Sequence, residues 1–307
     1  MSAPLVSVIV PAYDRLAHLR AAIESVRSQS CDRWELVVAD DGSAEPTREY
    51  LASLATDARI RVVWLAHTGN PSAVRNAAIR AASGEFLAFL DSDDLWLPRK
   101  LERQLAHFDA APGHGWSYTQ VQRIDAEGRA ASSDGVRPWR AFEGNIIEPL
   151  LRVEALVAMP SVMARRELVL AAGGFDDAQR FCEDYDLWLR LAVRSPASAL
   201  SEPLACVRVH ADNYSQDRIG AYEGWMRLYA KHAAALVEPR LRRICRERHA
   251  QSALALASLQ HRAGATRSAL RTFGAAAATG WWRPSWWWRA ARALAGAALP
   301  GFPRAGS

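Results

Sequence analysis

Short apolar runs at residues 5–10, 35–39, 61–65 and 86–90 punctuate the first third of the chain and read as buried strands. Between them, residues 16–28, 47–55 and 72–82 carry helical patterns; in the first, Leu19, Ile23 and Val26 recur at helical spacing. Such alternation predicts a parallel, mostly buried sheet with helices on its faces. Pro98 opens a further helix from residue 99 to about 109, as proline does at a first turn. Residues 115–165 read as shorter strands and loops, including 116–122 and 161–165, and then come a helix at 185–193 and a strand at 204–209 leading to His210. After about Tyr222 the chain is rich in Ala, Leu and Arg and reads as several helices. Residues 254–259 and 269–278 are spaced like a tetratricopeptide hairpin, but one pair is no repeat array.

Two of the predicted strands end in acids. The run Phe86-Leu87-Ala88-Phe89-Leu90 stops at Asp91-Ser92-Asp93-Asp94, and Glu35-Leu36-Val37-Val38-Ala39 stops at Asp40-Asp41-Gly42-Ser43. Clustered carboxylates repel unless a cation lies between them, and hard Mg²⁺ or Mn²⁺ ions take oxygen ligands while bridging to substrate phosphates. Alone, Asp-x-Asp reads first as a solvated acidic turn, with Asp94 capping the next helix, and Asp40-Asp41-Gly42-Ser43 reads equally well as a tight turn. Together they would share one rim, because ligands of open α/β sheets bind beyond the carboxyl ends of the strands. No Gly-x-Gly-x-x-Gly follows the first strand, where Pro11-Ala12-Tyr13 stands instead. That weighs against a dinucleotide-binding dehydrogenase and against a sugar-nucleotide pyrophosphorylase.

Composition sharpens this picture. With 307 residues, 50% hydrophobic, the chain can build one large core or two small ones. Four scattered cysteines form neither a zinc pattern nor a disulfide framework, which points to a reducing cytosol. The first apolar run is too short for a signal core, and no stretch reaches the roughly 18 apolar residues of a spanning helix. The net charge of +5 hides an asymmetry: residues 240–307 hold 12 of the 38 basic residues and one acid, and the other 239 residues carry −6. A mildly acidic body with a basic tail is not the footprint of a nucleic-acid-binding protein.

Several segments in order resemble the family 2 glycosyltransferases, over roughly residues 5–215. These are Val6-Ser7-Val8-Ile9-Val10-Pro11-Ala12-Tyr13, Asp40-Asp41-Gly42-Ser43, Ala73-Val74-Arg75-Asn76-Ala77-Ala78, Asp91-Ser92-Asp93-Asp94, Gly173-Gly174-Phe175-Asp176 and Cys182-Glu183-Asp184-Tyr185-Asp186-Leu187-Trp188-Leu189-Arg190. The resemblance implies an α/β GT-A core at 1–220, its nucleotide-sugar half about 1–110 and its acceptor half about 111–220, with an α-helical appendage at 221–307. It implies a nucleotide-diphospho-sugar donor, UDP first among the bases, held by Pro11, Tyr13, Asp40, Asp41, Arg75, Asp91 and Ser92. Asp41 would accept a hydrogen bond from the base. Asp93 would be the direct ligand of Mn²⁺ or Mg²⁺, with His210 a second candidate, and Asp184 the base that deprotonates the acceptor hydroxyl.

Each assignment has a structural alternative. Arg75 reads equally as a surface helix arginine, Asp184 as an N-cap and Trp188 as core. Glycines 173 and 174 are either a helix C-cap or an acceptor floor. Gly174, Glu183 and Trp188 are the acceptor-side candidates. The family's processive members carry Gln-x-x-Arg-Trp and several membrane spans; neither is present, so a single transfer per encounter is expected, with inversion. The implied acceptor is a glycan or lipid-linked glycan of a bacterial surface polysaccharide. Five of the twelve tryptophans crowd into residues 281–288 beside Arg289 and Arg292, which suggests an anionic membrane surface bound through 279–307, on the inner face of the cytoplasmic membrane. The rival classes are a sugar nucleotidyltransferase and a non-catalytic nucleotide-sugar-binding scaffold.

Overall fold

Strands β1 (Val6–Ala12) and β2 (Trp34–Asp40) are interior strands of a sheet, flanked on both sides and almost wholly buried. In the computed structural model, which describes residues 4–132, 137–209 and 217–278, every residue of β2 is buried. The described strands form one sheet in the order β3-β2-β1-β4-β7-β6-β8-β5. In it, β3 is Ile60–Trp64, β4 Phe86–Phe89, β5 Leu95–Trp96, β6 Trp116–Ile124, β7 Met163–Arg165 and β8 Ala197–Arg208. The first four are parallel, as expected of alternating strands and helices. Beyond β4 the sheet is mixed: β7 runs antiparallel to β4 and β6, whereas β6 and β8 are parallel.

Helices α1 (Leu16–Arg27), α2 (Thr47–Ser53) and α3 (Pro71–Ala81) connect the parallel strands, and α4 (Lys100–Ala110) follows β5. Leu19, Ala22, Ile23 and Val26 form the buried stripe of α1 and join Val8, Val10, Leu36 and Val38 in the main core. Pro71 stands in the first turn of α3, and the Asn70 side chain accepts from Ser72 N, so this helix start is set locally. The strand predicted at 204–209 is in fact the longer β8; Glu202 and Pro203 interrupt its apolar pattern, and its ladder with β6 shifts register at Gln120.

The chain divides into two compact units. The first comprises Met1–Ile147, Ala155–Asp177 and Leu187–His210, and the second Glu148–Glu154, Ala178–Asp186 and Ala211–Ser307. The second unit therefore does not begin at residue 221; it also takes in two short segments from earlier in the chain. Its helices are α8 (Arg218–Ala235), α9 (Pro239–Arg262) and α10 (Thr266–Ala278). Ala253, Leu254 and Ala276 form a small core with Met226, Phe273 and Ala277. The expected hairpin is thus present between α9 and α10, turning at Gly264 with φ of 77°. The remaining helices are α5 (Ile147–Leu151), α6 (Arg166–Ala171) and α7 (Glu183–Ala192).

Candidate functional site

Register brings the acidic strand ends together in the first unit. Ala12 pairs with Asp40 and Ile9 with Phe89, so Tyr13, Asp41 and Asp91 follow the ends of three adjacent strands. Pro11 lies in β1 opposite Ala39. The Asp40 carboxylate turns the chain by accepting from Ser43 N at 3.3 and 3.2 Å. Asp41 organises the loop after β3: Oδ1 accepts from Thr68 N at 2.8 Å and Thr68 Oγ1 at 2.9 Å, and Oδ2 accepts from Gly69 N at 2.9 Å. The ring of Tyr13 stacks on His67 at 4.3 Å. Gly42, at φ +79°, passes so close to this loop that a Cβ there would lie 2.9 Å from His67 N.

Arg75 is not a surface arginine. Its side chain is buried, Nη2 lies 2.7 Å from Asp91 Oδ1, and the guanidinium sits 5.4 Å from the Phe175 ring. Asp93 Oδ2 is 2.9 Å from Arg15 Nη1, and Arg15 and Asp14 before it are left-handed, at φ 54° and 51°. Ser92 lies between the two paired carboxylates and is half-buried.

Asp94 does not cap the next helix: α4 begins at Lys100, and the buried Asp94 carboxylate accepts instead from Arg208 N at 2.8 Å. Burial, and then the charges of Asp93 and Asp91, push its carboxyl well above the usual range. The Arg208 side chain donates to the carbonyls of Asp93, Asp125 and Ala126, which fixes the acidic turn against β8. Sequence reasoning missed this arginine, since its only signal was its place in Arg208-Val209-His210.

Among the described residues no three His, Cys, Asp or Glu side chains form a ready-made metal cage. The donors present fit a different kind of site. Asp91 and Asp93 present partly exposed carboxylate oxygens balanced by arginines, a donor set that would suit a hard cation that keeps waters.

The glycine pair is a helix stop. Gly173 N and Gly174 N return to Leu170 O and Val169 O at the end of α6. Asn76 explains the second glycine: its Nδ2 donates to Phe175 O and Asp177 Oδ1, its Oδ1 accepts from Phe175 N, and a Cβ on Gly174 would lie 2.7 Å from that Oδ1. Trp188 also differs from the acceptor reading. It is fully buried between Phe89 and Trp116, with ring centroids 5.8 and 6.1 Å away, and so presents no face to a sugar.

In the second unit, Asp184 is not an N-cap but the second residue of α7, its Oδ1 accepting from Tyr185 N at 2.7 Å. Glu183 opens the helix, and both acids are half-buried. Phe181 and Cys182 just before them are left-handed, at φ 61° and 56°, conformations held only where packing over-determines them. That packing comes from α8. Phe181 lies so close that a Cβ on Gly224 would meet its Cβ at 2.7 Å, Tyr185 meets Trp225, and the fully buried Asp186 receives Lys231 Nζ at 2.8 Å and His232 Nε2 at 3.0 Å. The acidic run in the sequence gives no sign of these partners. Burial, reinforced by Asp184 and Glu183, raises the Cys182 thiol well above its usual range. His210 and residues 279–307 lie outside the described residues. No helix among those described is long and apolar enough to cross a membrane.

Comparison with known proteins places this arrangement. A glycosyltransferase of Rickettsia bellii is 36% identical over 208 residues, 68% of this chain but 29% of that relative, so the chain spans less than a third of its length. The Escherichia coli UDP-Glc:α-D-GlcNAc-diphosphoundecaprenol β-1,3-glucosyltransferase WfgD is 41% identical over 102 residues, 33% of this chain and 40% of its own. In structure, the Pyrobaculum calidifontis mannosyltransferase PcManGT, solved with GDP-Man and Mn²⁺, superposes with a TM-score of 0.61 at 22% identity, over 96% of this chain and 81% of that one, which shows the shared GT-A fold. The family model "Glycosyl transferase family 2" matches residues 7–169, more than half of the chain, and the chain belongs to that family.

Proposed function

We propose that this chain is an inverting glycosyltransferase that moves a single sugar from a nucleoside-diphosphate sugar to the hydroxyl of a glycan or lipid-linked glycan, in bacterial surface polysaccharide or glycolipid assembly. One observation carries the reading: a buried Arg75 is paired with Asp91 on a rim where the carboxylates of Asp40, Asp41, Asp91 and Asp93 stand at or just after the ends of neighbouring parallel strands. Asp91 and Phe175 hold this guanidinium in one orientation, and a fixed fork of donors of that kind suits a diphosphate.

In this reading Tyr13 and Asp41 receive the base, Arg75 faces the phosphates or the base edge, and Asp91 meets the ribose. Asp93 would hold Mn²⁺ or Mg²⁺. When bound, the cation stabilises charge on the departing diphosphate as a Lewis acid. Asp184 takes the proton of the attacking hydroxyl. The E. coli relative, whose name states a UDP-sugar donor and a polyprenyl-diphosphate-linked acceptor, supports UDP and a lipid-linked acceptor here. Such an acceptor agrees with a protein working at the inner face of the cytoplasmic membrane.

Nucleoside diphosphate release from UDP-sugars, assayed with a GlcNAc-diphospholipid acceptor and Mn²⁺, tests the roles. Asp93→Ala should abolish metal-dependent turnover. Asp184→Ala should retain nucleotide binding and lose about 10²–10⁴-fold in turnover, the range for a general base. Normal turnover by Asp93→Ala would remove the metal assignment, and equal loss of binding and turnover in Asp184→Ala would make that residue structural.

A further inference from the structure

Helix α3 carries an asparagine in its interior, where asparagine is a poor helix former. The Asn76 amide is directed at one short turn. Its Oδ1 accepts from Phe175 N at 2.9 Å, and its Nδ2 donates to Phe175 O at 2.8 Å. A backbone N–H can only donate and a carbonyl can only accept, so these two bonds fix which way the amide points. The second Nδ2 hydrogen goes to Asp177 Oδ1 at 2.9 Å. Asn70, which caps the same helix, donates to Asp177 O at 3.0 Å. Arg190 holds the other arm of the turn, its Nη1 donating to Ala172 O and Gly174 O.

What these bonds hold in place is the Phe175 ring. It is buried, meets Phe89 edge-on at 5.5 Å, and has the Arg75 guanidinium 5.4 Å from its centroid. That distance is within the range of a cation–π contact. The guanidinium is thus set by two partners: the Asp91 carboxylate at 2.7 Å, and a ring whose backbone is clamped by the residue next to Arg75 in α3.

We propose that Asn76 is a positioning residue of the nucleotide site: it pins Phe175 beside Arg75 and so holds the guanidinium in the orientation that meets the nucleotide. Both Nδ2 hydrogens of Asn76 are taken by Phe175 and Asp177, so it acts through Arg75 and not by donating to the ligand. The inference rests on the reading that this rim binds a nucleoside-diphosphate sugar.

A double-mutant cycle read by isothermal titration of the full chain with UDP in Mn²⁺ tests it, using the wild type, Asn76→Ala, Arg75→Ala and the double variant, with melting curves to confirm folding. Asn76→Ala should weaken UDP by about tenfold when Arg75 is present, and by less than about twofold when Arg75 is already alanine. A merely structural asparagine would give the same loss in both backgrounds. Phe175→Leu keeps the apolar volume but not the ring face, and should show the same dependence on Arg75 should Asn76→Ala fail to fold. Unchanged affinity in the single variant, or equal loss with and without Arg75, would overturn the assignment. Wild type that binds no UDP would instead remove the nucleotide-sugar reading, and this inference with it.

Discussion

In a helical pattern Arg75 looks like any solvated arginine, and only burial beside Asp91 and Phe175 separates it from one. Trp188 moves in the opposite direction. Its spacing from Asp184 allowed a place beside the sugar, yet the ring fills the core against Phe89 and Trp116. Trp188→Ala should therefore cost about 3–5 kcal/mol in urea unfolding, the usual range for a buried aromatic, with nucleotide affinity per folded molecule unchanged. Unaltered stability together with weakened acceptor use would restore the acceptor reading. The acids after the strands were legible because their residue types and order are unusual; what they touch was not. Asp94 and Asp186 are buried by groups from elsewhere in the chain, Arg208 and the Lys231–His232 pair, and no local pattern announces such partners.

At the level of elements, hydrophobic periodicity located β1 to β4 and α1 to α4 to within a few residues, because these strands are short, apolar and separated by turn chemistry. It located β8 poorly, since polar residues interrupt a strand whose faces differ. The far end of the parallel sheet carries its own buried charge. Glu35 on β2 accepts from Ser7 Oγ, Ser83 N and Oγ, and Gly84 N, at 2.6 to 3.2 Å. Burial alone would raise its carboxyl, but these donors outweigh it and hold the group below its ordinary value. A depressed folded pKa means stability that is fully present above the unfolded carboxylate range, near 4.3, and is lost as pH falls through the folded value. Glu35→Gln should thus lower stability at pH 7 by about 1.5–3 kcal/mol, the range for hydrogen bonds to a charged group. The gap between variant and wild type should narrow in melts taken below pH 4. A gap independent of pH would mean that the charge is not what Ser7, Ser83 and Gly84 hold.

Across the whole molecule, the boundary predicted near residue 220 follows a change in composition, whereas the compact units follow packing. The segment Ala178–Asp186 belongs with α8 because Phe181, Tyr185 and Asp186 all find their partners there. Charge asymmetry, by contrast, is a property of the sequence itself. The +11 of residues 240–307 and the five tryptophans of residues 281–288 lead to the expectation that deleting 279–307 releases the chain from anionic liposomes in a flotation assay. Unchanged binding would exclude the tail as the anchor.

The central claim is that the rim formed by Asp40, Asp41, Arg75, Asp91 and Asp93 is a metal-assisted nucleotide-sugar site. Titration calorimetry with UDP, GDP and dTDP, each in Mn²⁺ and in EDTA, tests it most directly. The account predicts saturable binding of UDP that requires the metal. Binding that is indifferent to EDTA would contradict the role of Asp93, and no binding of any nucleotide would contradict the site itself.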